Sequence, residues 1–353
     1  MVKGVRMRST LDLTVVSDKL FFGDCGHGIA RYDEVRYPVF TTINDKMKSL
    51  YWNPKEVDLS QEKASFNKMT DAEQFVFTAN LKRQILLDSI QGRAPSLAFL
   101  PHCTDSSLEN CLLTWGFFES LHSESYTHVI RAIYPDPSVV FDDMVEIAPI
   151  VNCAADVSYY YDLLQRSPSK EALYLSLISA NALEALRFFA SFACTFSFGE
   201  RGMVMGSATE IKFIARDEAQ HLALVNHILK RLAKDDSDFV QIMQDLRPKA
   251  IEIFDQTAEQ EKEWATYIFQ HGPILGLNEG ILQDYVEYLL PRRKAAAGLT
   301  TTTKFDKTNP IPWINKWLSD SDYQPAPQET EGTGYLTSAV LNNASDINFS
   351  FQL

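Results

Sequence analysis

The chain has 353 residues, 45% hydrophobic and 22% charged, with 15 glycines and 15 prolines. That balance excludes a disordered, collagenous or disulfide-scaffold protein. The formal charge of −13, from 46 acidic against 33 basic residues, repels a phosphate backbone and argues against nucleic acid as a partner. The five cysteines (Cys25, Cys103, Cys111, Cys153, Cys194) form no C-x-x-C pair. They point to a reducing compartment and away from a zinc ribbon or dithiol centre. No uninterrupted apolar run reaches about 18 residues, so no membrane span is expected. Lys3, Arg6 and Arg8 precede no apolar signal core, so a cytoplasmic protein is expected.

Residues 1–30 read as irregular, broken by Gly23, Gly26 and Gly28, with at most a short strand at 11–16. From Thr41 the pattern turns helical: Ile43, Met47 and Leu50 share a face, and Asn53-Pro54 stops the element. Asp71 with Gln74 reads as a capping box before an apolar helix through Phe75, Phe77, Leu81, Ile85 and Leu86, ending near Gly92. Helices are then expected at 107–133, stopped by Pro135 and Pro137, and at 142–164. Residues 170–199 are apolar almost all round, which places that helix inside a bundle. Further helices are expected at 207–233, at 246–271 before Gly272, and at 280–297 with a kink at Pro291. No alternating strand pattern, phosphate loop or fixed-period repeat is present. From Leu318 to Leu353 there is no Lys or Arg, Pro and Gly interrupt the segment, and Phe349, Phe351 and Leu353 make its end apolar. It reads as a flexible acidic tail carrying a docking peptide. The organisation expected is an irregular segment at 1–30, a helical domain at 31–317 and the tail at 318–353.

Two E-x-x-H motifs lie inside expected helices: Glu119 with His122, and Glu218 with His221. Positions i and i+3 share a helix face, so each motif offers a carboxylate and an imidazole side by side. Taken alone, such a motif is more often a surface pair. Glu184, however, falls in the most apolar helix, and Asp88 follows Ile85, Leu86 and Leu87 on an apolar face. A buried carboxylate must be paired or metal-bound; for Glu184 the alternative is a salt bridge to Arg187. Four helices thus offer Asp88, Glu119 with His122, Glu184, and Glu218 with His221. One carboxylate from each of two helices and E-x-x-H from each of two others is the pattern of ferritin-like di-iron and di-manganese bundles. Mixed oxygen and imidazole donors suit iron or manganese. Four carboxylates against two divalent ions also leave the buried site close to neutral. Tyr126 follows His122 by four residues, while Phe188 and Phe192 follow Glu184 at intervals of four and Ile214 precedes Glu218 by four. A phenol beside the metals and walled by apolar groups can be oxidised and shielded; the alternative is a core tyrosine that only packs.

These residues carry a resemblance to the small, radical-generating subunit of class I ribonucleotide reductase, closest to its tyrosyl-radical class Ia form. The similar stretches are L-D-S-I-Q-G-R at 87–93, W-G-F-F-E-S-L-H-S-E-S-Y-T-H-V-I-R at 115–131, N-A-L-E-A-L-R-F at 181–188, A-R-D-E-A-Q-H at 215–221, N-P-I-P-W-I-N at 309–315 and the final F-Q-L. The resemblance implies an all-α, ferritin-like bundle with a di-metal site in a four-helix core. It implies two iron ions, with manganese possible: Asp88, Glu119 and His122 on one, Glu184, Glu218 and His221 on the other, and Glu119 and Glu218 bridging. It implies dioxygen as oxidant and a radical on Tyr126, in a pocket of Phe188, Phe192 and Ile214. Trp52 and Asp217 resemble the path outward from His122, and Tyr335 in the tail resembles the relay to a separate large subunit. The terminal peptide is expected to dock on that subunit, which reduces ribonucleotides, and the small subunit is expected to be a homodimer. Departures are a short region between Glu119 and Glu184, and Gly199 where alanine is common; Cys194 is assigned to packing. Two rivals share part of this reading. An oxygenase, desaturase or ferroxidase on the same scaffold needs neither Tyr126 nor the tail, and a metal-free scaffold protein has no use for six intact ligands.

Overall fold

The computed structural model describes residues 19–23, 29–302 and 304–318. The long helices in chain order are α1 (Pro38–Ser49), α2 (Asp71–Gln91), α3 (Ser106–Ile133), α4 (Ala148–Arg166), α5 (Lys170–Gly199), α6 (Met205–Asp235), α7 (Arg247–Ile268) and α8 (Glu279–Ala296). Among the described residues there is no strand, only the isolated bridges Phe21–Cys103 and Ile274–Leu277. The fold is the expected all-α bundle.

Local chemistry sets the helix ends. α2 starts from a capping box, but one residue earlier than the Asp71–Gln74 reading. Thr70 Oγ1 accepts from the Glu73 amide at 3.3 Å, and Glu73 Oε2 accepts from the Thr70 amide at 2.9 Å. Gln74 instead donates to the Phe66 carbonyl at 3.1 Å, outside the helix. α3 is capped by Asp105, whose Oδ1 accepts from the Ser107 and Leu108 amides at 3.0 Å each. The single helix expected at 142–164 is broken. A short helix at Ser138–Phe141 and a turn at Met144–Glu146 precede α4, which has Pro149 in its first turn. Proline has no N–H to give and clashes with the preceding turn, so a helix can start at it but not pass through it cheaply. α8 nevertheless runs through Pro291.

α2, α3, α5 and α6 form the core, with α1 against α3 and α6, and α7 and α8 packed together beside α5. By length and composition α5 could cross a membrane, but its apolar stretch is wholly buried inside the bundle. It is the interior helix its sequence announced. Two glycines permit close approaches. A Cβ on Gly92 would lie 3.1 Å from the Asp88 carbonyl and 3.4 Å from Glu119 Cβ, so the end of α2 can close against α3 at Glu119. A Cβ on Gly199 would come within 2.7 Å of the Trp317 ring, which stacks on Phe196 with ring centres 4.9 Å apart. That contact accounts for the glycine at 199. Cys103, Cys111, Cys153 and Cys194 are buried; Cys25, the possible strand at 11–16 and the tail from residue 319 lie outside the described residues.

Candidate metal centre

The four core helices bring all six expected ligands together. α2 supplies Asp88 near its C-terminal end, α3 supplies Glu119 and His122, α5 supplies Glu184, and α6 supplies Glu218 and His221. All six are fully buried. Donor atoms of Asp88, Glu119, His122 and Glu218 lie within 4.8 Å of one another, and so do those of Glu119, Glu184, Glu218 and His221. Glu119 and Glu218 belong to both groups. His122 Nδ1 is 3.1 Å from Glu218 Oε1 and 3.6 Å from Glu119 Oε2. His221 Nδ1 is 2.8 Å from Glu218 Oε2 and 3.2 Å from Glu119 Oε1.

Crowding charge in a dry interior shifts ionisations. Burial, with Glu119 and Glu218 alongside, pushes Asp88 well above the ordinary carboxylate range. Burial and the same two carboxylates do this to Glu184. Glu218 moves the other way: against its burial, hydrogen bonding to Glu184 and the two imidazoles hold it below the usual range. Against burial, Glu218 and Glu119 raise His221 to about 9, and Asp217, Glu119 and Glu218 raise His122 well above its ordinary value.

The donor set fits a pair of cations. Both oxygens of Asp88, Glu119 Oε2, Glu184 Oε2, Glu218 Oε1 and His122 Nδ1 are buried without a hydrogen-bond partner. Buried polar atoms are otherwise almost always satisfied, so so many orphans facing one point call for positive charge there. The salt-bridge alternative for Glu184 does not occur. Arg187 Nη1 lies 3.2 Å from Glu261 Oε1, and Glu184 Oε1 instead accepts from Gln91 Nε2 at 2.6 Å.

The surrounding residues orient these side chains. Asp217 Oδ2 lies 3.3 Å from His122 Nε2 and accepts from Trp52 Nε1 at 2.8 Å, so Trp52, Asp217 and His122 form a connected line. A second imidazole nitrogen held by a carboxylate leaves the first free to face a metal. Tyr126 is fully buried on α3, and its hydroxyl has no hydrogen-bond partner. Burial, then Asp88 and Glu218, push its ionisation well above the ordinary phenol value. Phe188, Phe192 and Ile214 are fully buried too, with the two phenylalanine rings stacked 6.0 Å apart. Tyr335 lies outside the described residues.

Three supporting residues were not singled out by sequence reasoning. Trp115 Nε1 donates to Glu119 Oε1 at 2.8 Å, and Gln91 relays between Glu184 and the Tyr161 hydroxyl, which donates to Gln91 Oε1 at 2.7 Å. Trp115 precedes Glu119 by four and Gln91 follows Asp88 by three, so helix periodicity could have flagged both. Tyr161 comes from α4 and had no local signal. Nor did the wide π-helical turn at Leu183–Arg187, which carries Glu184 and interrupts the regular phase from Glu184 to Phe188. Such turns are often found at functional sites.

With this geometry in view, the family model for the ribonucleotide reductase small chain matches residues 30–310. The chain belongs to the ribonucleotide reductase small-chain family. It is 43% identical over 360 residues to the ribonucleoside-diphosphate reductase subunit beta of Haemophilus influenzae, covering 95% of both chains. The fold is similar to the ribonucleotide reductase R2 subunit from Clostridium botulinum, with TM-score 0.83, 21% identity, and 89% of this chain and 99% of that one covered. It is also similar to a dimanganese(II) protein of Streptococcus sanguinis, with TM-score 0.70, 15% identity, and 82% and 98% covered.

Proposed function

We propose that the chain is the radical-generating small subunit of a ribonucleoside-diphosphate reductase, of the tyrosyl-radical di-iron kind. The observation that carries this is Tyr126, buried and unpartnered on the same helix as two of six clustered ligands. Asp88 and His122 would hold one ion, Glu184 and His221 the other, with Glu119 and Glu218 spanning both. When bound, a pair of iron ions supplies, with dioxygen, the oxidising power that takes an electron and a proton from a phenol; manganese suits the same donors.

The protein's own groups do the rest. Tyr126 is protonated at neutral pH, as an ordinary phenol is and as its burial favours, so forming a neutral radical on it removes a proton as well as an electron. Phe188, Phe192 and Ile214 exclude the water that would quench the product. Asp217 fixes the tautomer and direction of His122 and links it to Trp52, so the line from the ions outward is unbroken. The acidic tail at 318–353 extends this route: Tyr335 relays the oxidising equivalent, and the terminal Phe351-Gln352-Leu353 docks on the large subunit, where ribonucleotides become deoxyribonucleotides. The working form is a homodimer of this chain bound to that subunit.

Adding iron(II) and oxygen should give a tyrosyl signal in electron paramagnetic resonance. Tyr126→Phe should abolish that signal while still binding two ions per chain; an unchanged signal rejects the assignment. Removing residues 349–353 should abolish binding to the large subunit without altering metal loading. Retained binding rejects the docking role.

A further inference from the structure

Glu184 uses its two oxygens differently. Oε1 accepts from Gln91 Nε2 at 2.6 Å, while Oε2 is buried with no hydrogen-bond partner. Behind Gln91 stands Tyr161 of α4, whose hydroxyl donates to Gln91 Oε1 at 2.7 Å. Gln91 and Glu184 are fully buried, and Tyr161 is buried too. The Tyr161 ring meets Phe99 edge-on, with ring centres 5.8 Å apart, and Phe99 in turn stacks on Trp115 at 6.1 Å. Packing therefore holds the ring, and among the described residues its hydroxyl makes no second hydrogen bond.

We propose that Tyr161 is a positioning residue: it holds the Gln91 amide so that Glu184 meets its metal ion through Oε2 alone. The inference rests on reading Glu184 as a metal ligand. The two ends of an amide are nearly alike in size, so hydrogen bonding decides which way it points. A phenol has one proton to give, an amide nitrogen only donates, and an amide oxygen only accepts. With Gln91 Oε1 toward Tyr161, the phenol proton is accepted and the amide N–H is left for Glu184. Turned end for end, the phenol proton has no acceptor and the Gln91 carbonyl oxygen confronts a carboxylate. Both faults strand buried polar groups, which protein interiors avoid. The carboxylate of Glu184 is pinned in its turn. It cannot swing to present both oxygens to an ion without giving up the bond from Gln91 Nε2. Glu184 bound by one oxygen leaves a further coordination place on that ion, and dioxygen is the co-reactant that needs one. Tyr161 touches no ligand and acts through Gln91, as partners behind a metal ligand commonly do.

The test compares the full chain with its Tyr161→Phe variant, which keeps the ring and removes only the hydroxyl. Both are loaded with manganese(II), with carbon-13 in the glutamate side chains, and read in the infrared as loaded-minus-metal-free differences. A carboxylate held by one oxygen shows widely separated asymmetric and symmetric stretches, and one held by both shows a narrower separation. In Tyr161→Phe one glutamate pair should narrow, a signature that loss of packing alone does not produce. With iron(II) in place of manganese, the initial rate of oxygen uptake should fall about 10- to 100-fold. Gln91→Met removes the donor and should reproduce both changes. Because Tyr161 acts only through Gln91, the double variant Tyr161→Phe/Gln91→Met should match Gln91→Met to within about twofold. Glutamate bands in Tyr161→Phe identical to the parent's overturn the proposal, whatever happens to oxygen uptake. A double variant in which the two losses multiply overturns it as well, since Tyr161 would then act independently of Gln91. A parent that binds fewer than two manganese ions per chain refutes the reading of the site itself. A parent that binds two, with an unaltered Tyr161→Phe, refutes this inference alone.

Discussion

Replacing Glu261 by glutamine tests how this bundle tolerates charge in its interior. Arg83 from α2 and Arg187 from α5 converge on Glu261 of α7, and their side chains are 1%, 3% and 0% exposed. Arg83 bonds both carboxylate oxygens, with Nη1 2.7 Å from Oε2, and Arg187 Nη1 lies 3.2 Å from Oε1. Glutamine preserves the volume, so no cavity forms, and the effect is the lost charge together with one lost acceptor, because the amide nitrogen cannot accept from a guanidinium. Removing one partner from a buried pair costs about 3–5 kcal/mol, because the remaining charge stays desolvated. Here two guanidiniums lose the same partner, so the upper half of that range is expected. Set against a total stability of about 5–15 kcal/mol, this is a large fraction. Urea unfolding followed by circular dichroism, on metal-free and loaded protein, measures it. Arg187 also follows Glu184 by three residues in the same π-helical turn. The variant should therefore lose metal faster as well, which a remote surface pair would not cause. A destabilisation below about 1 kcal/mol would show that water reaches the guanidiniums, and the dry three-charge junction would have to be abandoned.

Other expectations are as direct. In the metal-free centre His221 is raised to about 9 and His122 well above its ordinary value, so both imidazoles hold protons at neutral pH that metal must displace. Loading two ions should release about two protons or more, and apparent affinity should climb about a hundredfold per pH unit near pH 7; a pH-stat trace showing fewer than about one proton rejects this. Burial lifts Glu210 from 4.5 to about 7, so the stabilising protonated form is complete below about pH 4.5 and lost as pH rises through 7. That loss approaches about 3 kcal/mol at full ionisation. Glu210→Gln should therefore gain stability relative to the parent between pH 5 and pH 8.5, and a pH-independent difference would refute the reasoning.

Much of the centre was legible along the chain because helices impose a short period. E-x-x-H places two donors on one face wherever a helix forms, which paired Glu119 with His122 and Glu218 with His221, although such a motif alone is more often a surface pair. Asp88 and Glu184 stood out because a carboxylate among leucines and phenylalanines has no cheap way to be buried. The all-round apolar character of residues 170–199 likewise assigned α5 to the interior before any packing was known. Boundaries were read less well. The Thr70–Glu73 box was taken one residue late because Asp71 and Gln74 offer the same chemistry at the same spacing. The break before α4 was missed because Met144, Val145, Ile147 and Ile150 carry an apolar pattern across Pro149, where the helix in fact begins.

What the sequence alone determined was therefore local: which residues ride on one helix face, and which charges could not survive inside without partners. Which helices meet was decided only in three dimensions. Arg187 could have answered Glu184 one turn away, yet it turns to Glu261 on α7, and Gln91 takes its place. Tyr161, Glu261 and the His128–Glu210 pair act across 70 or more positions of chain. No periodicity encodes such distances, because side chains choose partners by proximity and dielectric environment, and both exist only once the bundle has closed.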